Sequence, residues 1–227
     1  MKRSEINTVM RDAVEFLNEQ NFFLPKFAYW TVEDWKTKGS KINQIIDNQL
    51  GWDITDFGRG DFYNYGLILF TIRNGKFKDT SKNAKSYCEK VMIVEEEQYT
   101  PMHRHYDKKE DIINRGGGIL QVEAYRCSES DSLLKAPLTV SIDGVKKQVQ
   151  PGELIELEPG ESIYLTPDVY HKFWGKKGHG KVLIGEVSTV NDDYSDNKFY
   201  EEVKRFSDIE EDEEPLYLLY DDYKIYL

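Results

Sequence analysis

The sequence predicts a mainly β domain, a sandwich or barrel of short strands entered through a helical segment. Three observations carry this. Apolar runs of strand length recur at short intervals between residues 66 and 190. Turn pairs separate them, among them Asn74-Gly75, Asp143-Gly144 and Pro159-Gly160. Helical periodicity is confined to residues 1–50.

Taken in order, Ile6, Val9, Met10, Ala13, Phe16 and Leu17 recur at helical spacing, with Ser4 as N-cap and Asn21 and Pro25 closing the pattern. Thr31 to Asp34 has the spacing of a capping box and predicts a short second helix. Ser40 opens a third, with Ile42, Ile45 and Ile46 on its buried side. Strand signals then follow at 66–73, running into the hairpin pair Asn74-Gly75, and at 87–94, 119–125, and 138–142 into Asp143-Gly144. Further runs lie at 154–157, 162–165 and 182–187. Many short strands with regular turns are the pattern of a sandwich or barrel. Residues 207–214 are strongly acidic and read as a solvated loop or face. The aromatic segment 215–220 carries too much apolar area for a loose tail, so packing on the barrel or a partner subunit is expected. The expected organisation is one domain over 1–227: a helical preface (1–50), a barrel (66–190) and a C-terminal extension (191–227).

Composition narrows the function. A net charge of −11 with no Lys/Arg stripe repels phosphate backbones and argues against nucleic acid as a partner. Cys88 and Cys127 are too few for a disulfide framework and read as reduced thiols. The N-terminus lacks the apolar stretch of a signal peptide, and no run approaches membrane-spanning length. A soluble, cytoplasmic protein without a membrane partner is expected.

The chain has four histidines, and two form His103-Arg104-His105. On a strand, residues i and i+2 share a face, so both imidazoles can converge on one point. A short turn after His105 can return the Glu110 carboxylate to that point, and His171 follows near a later strand. Taken singly, each residue has a bland explanation; together, on β-like segments, they point to a metal site. His179, in a Lys/Gly-rich stretch, reads as an exposed loop residue.

His103-x-His105-x4-Glu110-x6-Gly117 resembles the first cupin motif, and Gly160-x6-Pro167-x3-His171 resembles the second. The second departs from the common form: Pro167 is followed by Asp-Val-Tyr without a glycine, and the histidine comes one residue early. The resemblance implies a cupin double-stranded β-helix, a jelly-roll barrel, over residues 66–190. A narrower resemblance covers nearly the whole chain. Residues 103–125, 167–175 and 185–201, with 51–62 and 205–219, are similar to the D-lyxose isomerase family of bacterial cupins. That family interconverts D-lyxose with D-xylulose and D-mannose with D-fructose on a divalent metal, usually manganese. Such an activity for this chain is implied by the resemblance; spacing alone stops at a metal-binding barrel.

The residues suit that chemistry. His103, His105, His171 and Glu110 leave a positive centre, and a six-coordinate ion keeps two positions for water or for two sugar oxygens. Mn²⁺, Fe²⁺ or Co²⁺ suit such a mixed set, with Mn²⁺ favoured; Zn²⁺ on four protein ligands tends to a closed tetrahedral site. Moving a proton between C1 and C2 needs a carboxylate base. Glu186, on the apolar run 182–187, is the candidate if its face of the strand is the inner one. Related cupin sugar isomerases carry a glutamate at about this offset from the last ligand. Glu110 can also shuttle a proton. Lys108 can bind a substrate hydroxyl or enediolate oxygen, or be a surface lysine; Asp193 is a candidate for sugar hydroxyls, or an ordinary turn residue. Tyr106, Tyr170, Phe173 and Trp174 can wall a pocket or simply fill the core. A phosphosugar isomerase drawing on Lys108, Lys109, Arg115 and Lys172, an iron dioxygenase and a non-catalytic sugar-binding cupin are the competing readings. A homodimer is expected, as the commonest way for such sheets to pair.

Overall fold

The structure, a computed structural model, describes residues 1–227. Helix α1 spans Arg3–Glu19, α2 Val32–Lys36 and α3 Asn43–Asp47. The strands are β1 (Gly51–Thr55), β2 (Leu67–Arg73), β3 (Tyr87–Val94), β4 (His103–Arg104), β5 (Glu110–Gly117), β6 (Leu120–Arg126) and β7 (Leu138–Ile142). They continue with β8 (Val145–Val149), β9 (Leu154–Leu157), β10 (Ser162–Leu165), β11 (Val169–Gly175), β12 (Val182–Thr189) and β13 (Lys198–Phe199), and a final turn of helix, α4, covers Tyr223–Tyr226. The larger sheet has the order β1-β2-β3-β12-β5-β10-β7-β8, the smaller one β13-β4-β11-β6-β9, and every pairing is antiparallel. Met92, Ile112 and Ile163 of the larger sheet meet Val122, Ala124 and Phe173 of the smaller in one apolar core.

Period-two burial explains why these strands form. Along β5, Glu110, Ile112 and Asn114 are buried while Asp111 and Ile113 are only partly so. The outer face of β1 to β3 is also apolar. Ile68, Phe70, Val91 and Ile93 there are covered by Ile6, Met10, Ala13 and Leu17 of α1, which accounts for the helical preface. The Asp143-Gly144 pair makes the anticipated two-residue hairpin, with φ of 49° and 81° as a type I′ turn requires. Thr31 and Asp34 form the capping box.

Three expectations need correction. Ser4 is not an N-cap: α1 begins at Arg3, after Lys2, with no side-chain cap. The acidic segment does the capping instead. Asp212 accepts the Ser4 N–H at 2.9 Å and its hydroxyl at 2.7 Å, and the Glu210 carbonyl accepts the Arg3 N–H at 2.9 Å. The run 207–214 is thus not merely solvated; its carboxylates meet the free amides and positive end of the helix dipole. Asn74-Gly75 is not a tight hairpin. β2 and β3 pair, but through a connection over 74–86. Asn74 is buried, and its side chain bonds the carbonyls of Asn48 and Asn191 and the N–H of Asn191. Sequence patterns also missed β1, which pairs with β2 ahead of residue 66, and β13, which edges the smaller sheet after residue 190.

Leu218, Leu219, Tyr220 and Tyr223 are buried, and Leu218, Tyr220 and Tyr223 close over Trp35 and Ile42. Cys88 and Cys127 are free thiols. No helix is long and apolar enough to cross a membrane.

Candidate active site

The candidate metal ligands come from both sheets. His103 on β4 is the direct cross-strand partner of His171 on β11, which places two imidazoles side by side in the smaller sheet. His105 follows the end of β4, and Glu110 opens β5 in the larger sheet. The side-chain nitrogens of His103, His105 and His171 lie within 4.8 Å of one another. Glu110 Oε1 is 3.3 Å from His105 Nε2 and 3.2 Å from His171 Nε2.

The other ring nitrogens fix what those atoms are. Nδ1 of His103, His105 and His171 faces the carbonyls of Pro101 (2.8 Å), Asp196 (2.7 Å) and Val169 (3.3 Å). A carbonyl only accepts, so Nδ1 carries the proton and Nε2 of each neutral ring presents a lone pair inward. Glu110 Oε1 therefore faces two acceptors with no donor between them, and it and His105 Nε2 are buried without a hydrogen-bond partner. A cation at this point satisfies all of them, and the three imidazole nitrogens and one carboxylate oxygen are a donor set for a divalent metal. Burial and the neighbouring histidines push the His103 pKa well down, which keeps that ring available as a ligand.

Beside this cluster lies a charged group. Lys108 Nζ donates to Glu186 Oε1 at 2.9 Å and sits 2.8 Å from Glu110 Oε2. Glu186 lies on the inner face of β12 with Ile184, so the condition on its strand face is met. Glu186 Oε1 also accepts from the Ser188 hydroxyl at 3.0 Å, while no protein donor reaches Oε2. Burial opposes the charge on Lys108, but Glu110 and Glu186 outweigh it and raise its pKa. Burial likewise opposes ionisation of Glu110, but the Lys108 ammonium outweighs it and holds the carboxyl well below its usual range. Lys108 is a buried ammonium, not a surface lysine.

Asp193 is also buried, 3.5 Å from Lys90 Nζ and 3.3 Å from Arg205 Nη2. Burial raises its pKa, but Arg205 and Lys90 outweigh that and hold it well below the carboxylate range. Arg205 in turn reaches Asp53 at 2.7 Å. Lys90, Lys108, Glu110, Glu186, Asp193 and Arg205 line one cavity with the three histidines, and Phe57, Met92, Phe173 and Phe199 supply apolar wall. Of the four aromatics singled out in the sequence only Phe173 lines it. Tyr106 points to solvent, Tyr170 hydrogen-bonds Asp131, and Trp174 stacks on Tyr99. Sequence reasoning missed Lys90, Arg205 and Asp53. A lysine within the apolar run 87–94, in phase with Met92 and Val94, was a usable signal for the first; Arg205 and Asp53 carried none.

Set against known proteins, a profile of the D-lyxose isomerase family matches residues 1–223. This chain belongs to the D-lyxose isomerase family. A D-lyxose/D-mannose isomerase of Serratia proteamaculans is 46% identical over 224 residues, which is 98% of each chain. Its counterpart from Escherichia coli O157:H7 is 43% identical over 225 residues, 99% of each. The fold is shared with an L-ribose isomerase of Acinetobacter sp. DL28, solved in complex with L-ribose, at a TM-score of 0.62 and 16% identity over 92% of this chain and 98% of that one. The jelly-roll expectation for this D-lyxose isomerase family member is met.

Proposed function

We propose that the protein interconverts D-lyxose with D-xylulose, and D-mannose with D-fructose, by proton transfer through a cis-enediol. The observation that carries this reading is the meeting of a divalent-metal donor set with the Lys108–Glu186 pair in one cavity. Family membership, with relatives named for D-lyxose and D-mannose, supports the substrates.

His103, His105 and His171 through Nε2, with Glu110 through Oε1, would hold the metal. When bound, it supplies Lewis-acid polarisation of a sugar carbonyl. The favoured ion is Mn²⁺, which suits mixed nitrogen and oxygen ligands with positions left open. Glu186 is the base. Its Oε1 is tied to Lys108 and Ser188, so Oε2 takes the proton from C2 of the aldose and returns it to C1 on the same face. Lys108, held protonated between two carboxylates, donates to the oxygen on which negative charge develops. Glu110, joined to Lys108 through Oε2, is placed to help move the hydroxyl proton between O1 and O2. Asp193, anchored by Lys90 and Arg205, accepts from the sugar hydroxyls beyond C2. We place the enzyme in the cytoplasm as a homodimer, in keeping with its free thiols and the commonest oligomer symmetry.

The phosphosugar alternative finds little support. Lys90, Lys108 and Arg205 in the cavity are each paired with carboxylates, and Lys172 pairs with Glu123 away from it. The test is to strip the protein with a chelator, restore Mn²⁺, and assay D-lyxose, D-mannose and glucose 6-phosphate. Turnover of the two free sugars that returns only with metal is expected. A metal-loaded protein that converts no sugar, or converts only the phosphorylated one, overturns the proposal.

A further inference from the structure

We infer that Asp196 is a positioning residue for the Lys108–Glu186 pair, acting through the turn between His105 and Glu110. The inference rests on the isomerase reading above. Residues 106–109 make that turn, and Lys108 rides on it. Asp196 belongs to the distant segment after β12, yet it is 2% exposed and lies against the turn. Its Oδ1 accepts the N–H of Tyr106 and of Asp107, both at 2.8 Å, and its Oδ2 accepts the N–H of Lys108 at 3.0 Å. Its own carbonyl accepts Nδ1–H of His105 at 2.7 Å. Three consecutive amides thus converge on one carboxylate, and no other protein acceptor serves them.

The carboxylate's charge is what the turn selects. Three N–H dipoles aimed at one group make charge-assisted hydrogen bonds. An amide has the same shape but one acceptor oxygen, and its NH₂ would face a third N–H, donor against donor. The turn would then shift, and with it the ammonium that sits 2.9 Å from Glu186 and 2.8 Å from Glu110. His105 keeps its own partner, because that partner is the main-chain carbonyl of residue 196. Changing the side chain therefore disturbs Lys108 before it disturbs the metal ligands. A misplacement of about 1 Å at a reacting group costs on the order of 100-fold in rate.

The test uses full-length Asp196→Asn, Asp196→Glu, Lys108→Gln and the Asp196→Asn/Lys108→Gln double variant, each loaded with Mn²⁺ and assayed with D-lyxose. Amide hydrogen exchange at residues 106–108 is followed alongside. Asp196→Asn is expected to lower kcat about 10–100-fold with KM within about threefold. Exchange at 106–108 should rise about tenfold or more while β12 stays protected. Asp196→Glu, which keeps the charge, should fall between wild type and Asp196→Asn. In the Lys108→Gln background the Asp196→Asn change should cost no more than about twofold, because the residue it positions is gone. A kcat for Asp196→Asn within twofold of wild type, equal losses in the Asn and Glu variants, multiplying losses in the double variant, or unchanged exchange at 106–108 would each overturn the inference. So would protection lost throughout both sheets, which marks a purely structural role. If wild-type protein converts no sugar, the isomerase reading fails first and takes the inference with it.

Discussion

Two ends of the same interior can be compared on three neighbouring strands. Inward positions on β3, β12 and β5 line up in rows: Val94 and Val182; Met92, Ile184 and Asn114; Lys90, Glu186 and Ile112; Cys88, Ser188 and Glu110. The first two rows are mostly aliphatic and are held by packing. The last two carry buried charge and are held by pairing with Lys108, Asp193 and the histidines. β3 and β12 pair in unbroken register through all four rows, so backbone geometry on these two strands does not separate scaffold from site. What separates them is whether each buried group has an apolar neighbour or a matched charge.

The comparison is sharpened first by Glu186→Gln. It should lower kcat about 10²–10⁴-fold, the range for loss of a positioned base, while bound metal measured by elemental analysis stays equal to wild type. Next, Lys90→Met removes a cation from between Asp193 and Glu186. Denaturant unfolding should show a loss of about 3–5 kcal/mol, the cost of leaving buried charge uncompensated. The smallest effect belongs to Ile184→Val, two residues from Glu186 on the same face. It should cost about 0.5–1.5 kcal/mol in unfolding with kcat per folded molecule unaltered. A reversal, with Ile184→Val slowing catalysis and Glu186→Gln changing only stability, would break the division between the two ends.

That division also explains what the sequence disclosed. The aliphatic rows announce themselves through local runs such as 87–94 and 182–187, and the histidine cluster stands out because three of only four histidines join it. Gly117 was legible as a motif, and its reason is physical: at φ 80° a side chain there would run into the Lys181 carbonyl, 2.2 Å from the position of a Cβ. The charge pairs were not legible. Lys90 finds Asp193, and Arg205 finds Asp53, across long stretches of chain with no shared period. Asp196 looks like one more Asx in a turn until the turn at 106–108 is folded against it. The two-residue strands β4 and β13 are too short to leave a pattern.

Arg3 is wholly buried, and its guanidinium is gripped by Asp222 at 2.9 and 3.0 Å and by Glu211 at 2.7 and 2.8 Å. On the ribosome this pairing runs against the order of synthesis. The helix bearing Arg3 is made well before its buried partner, which lies 219 residues later. At typical rates of translation that interval is roughly 10–40 s. Throughout it, the apolar side of α1 is available to any growing strand, yet its N-terminal lock is missing. Helix α1 is therefore made before every strand it packs on, yet it is among the last elements to be secured.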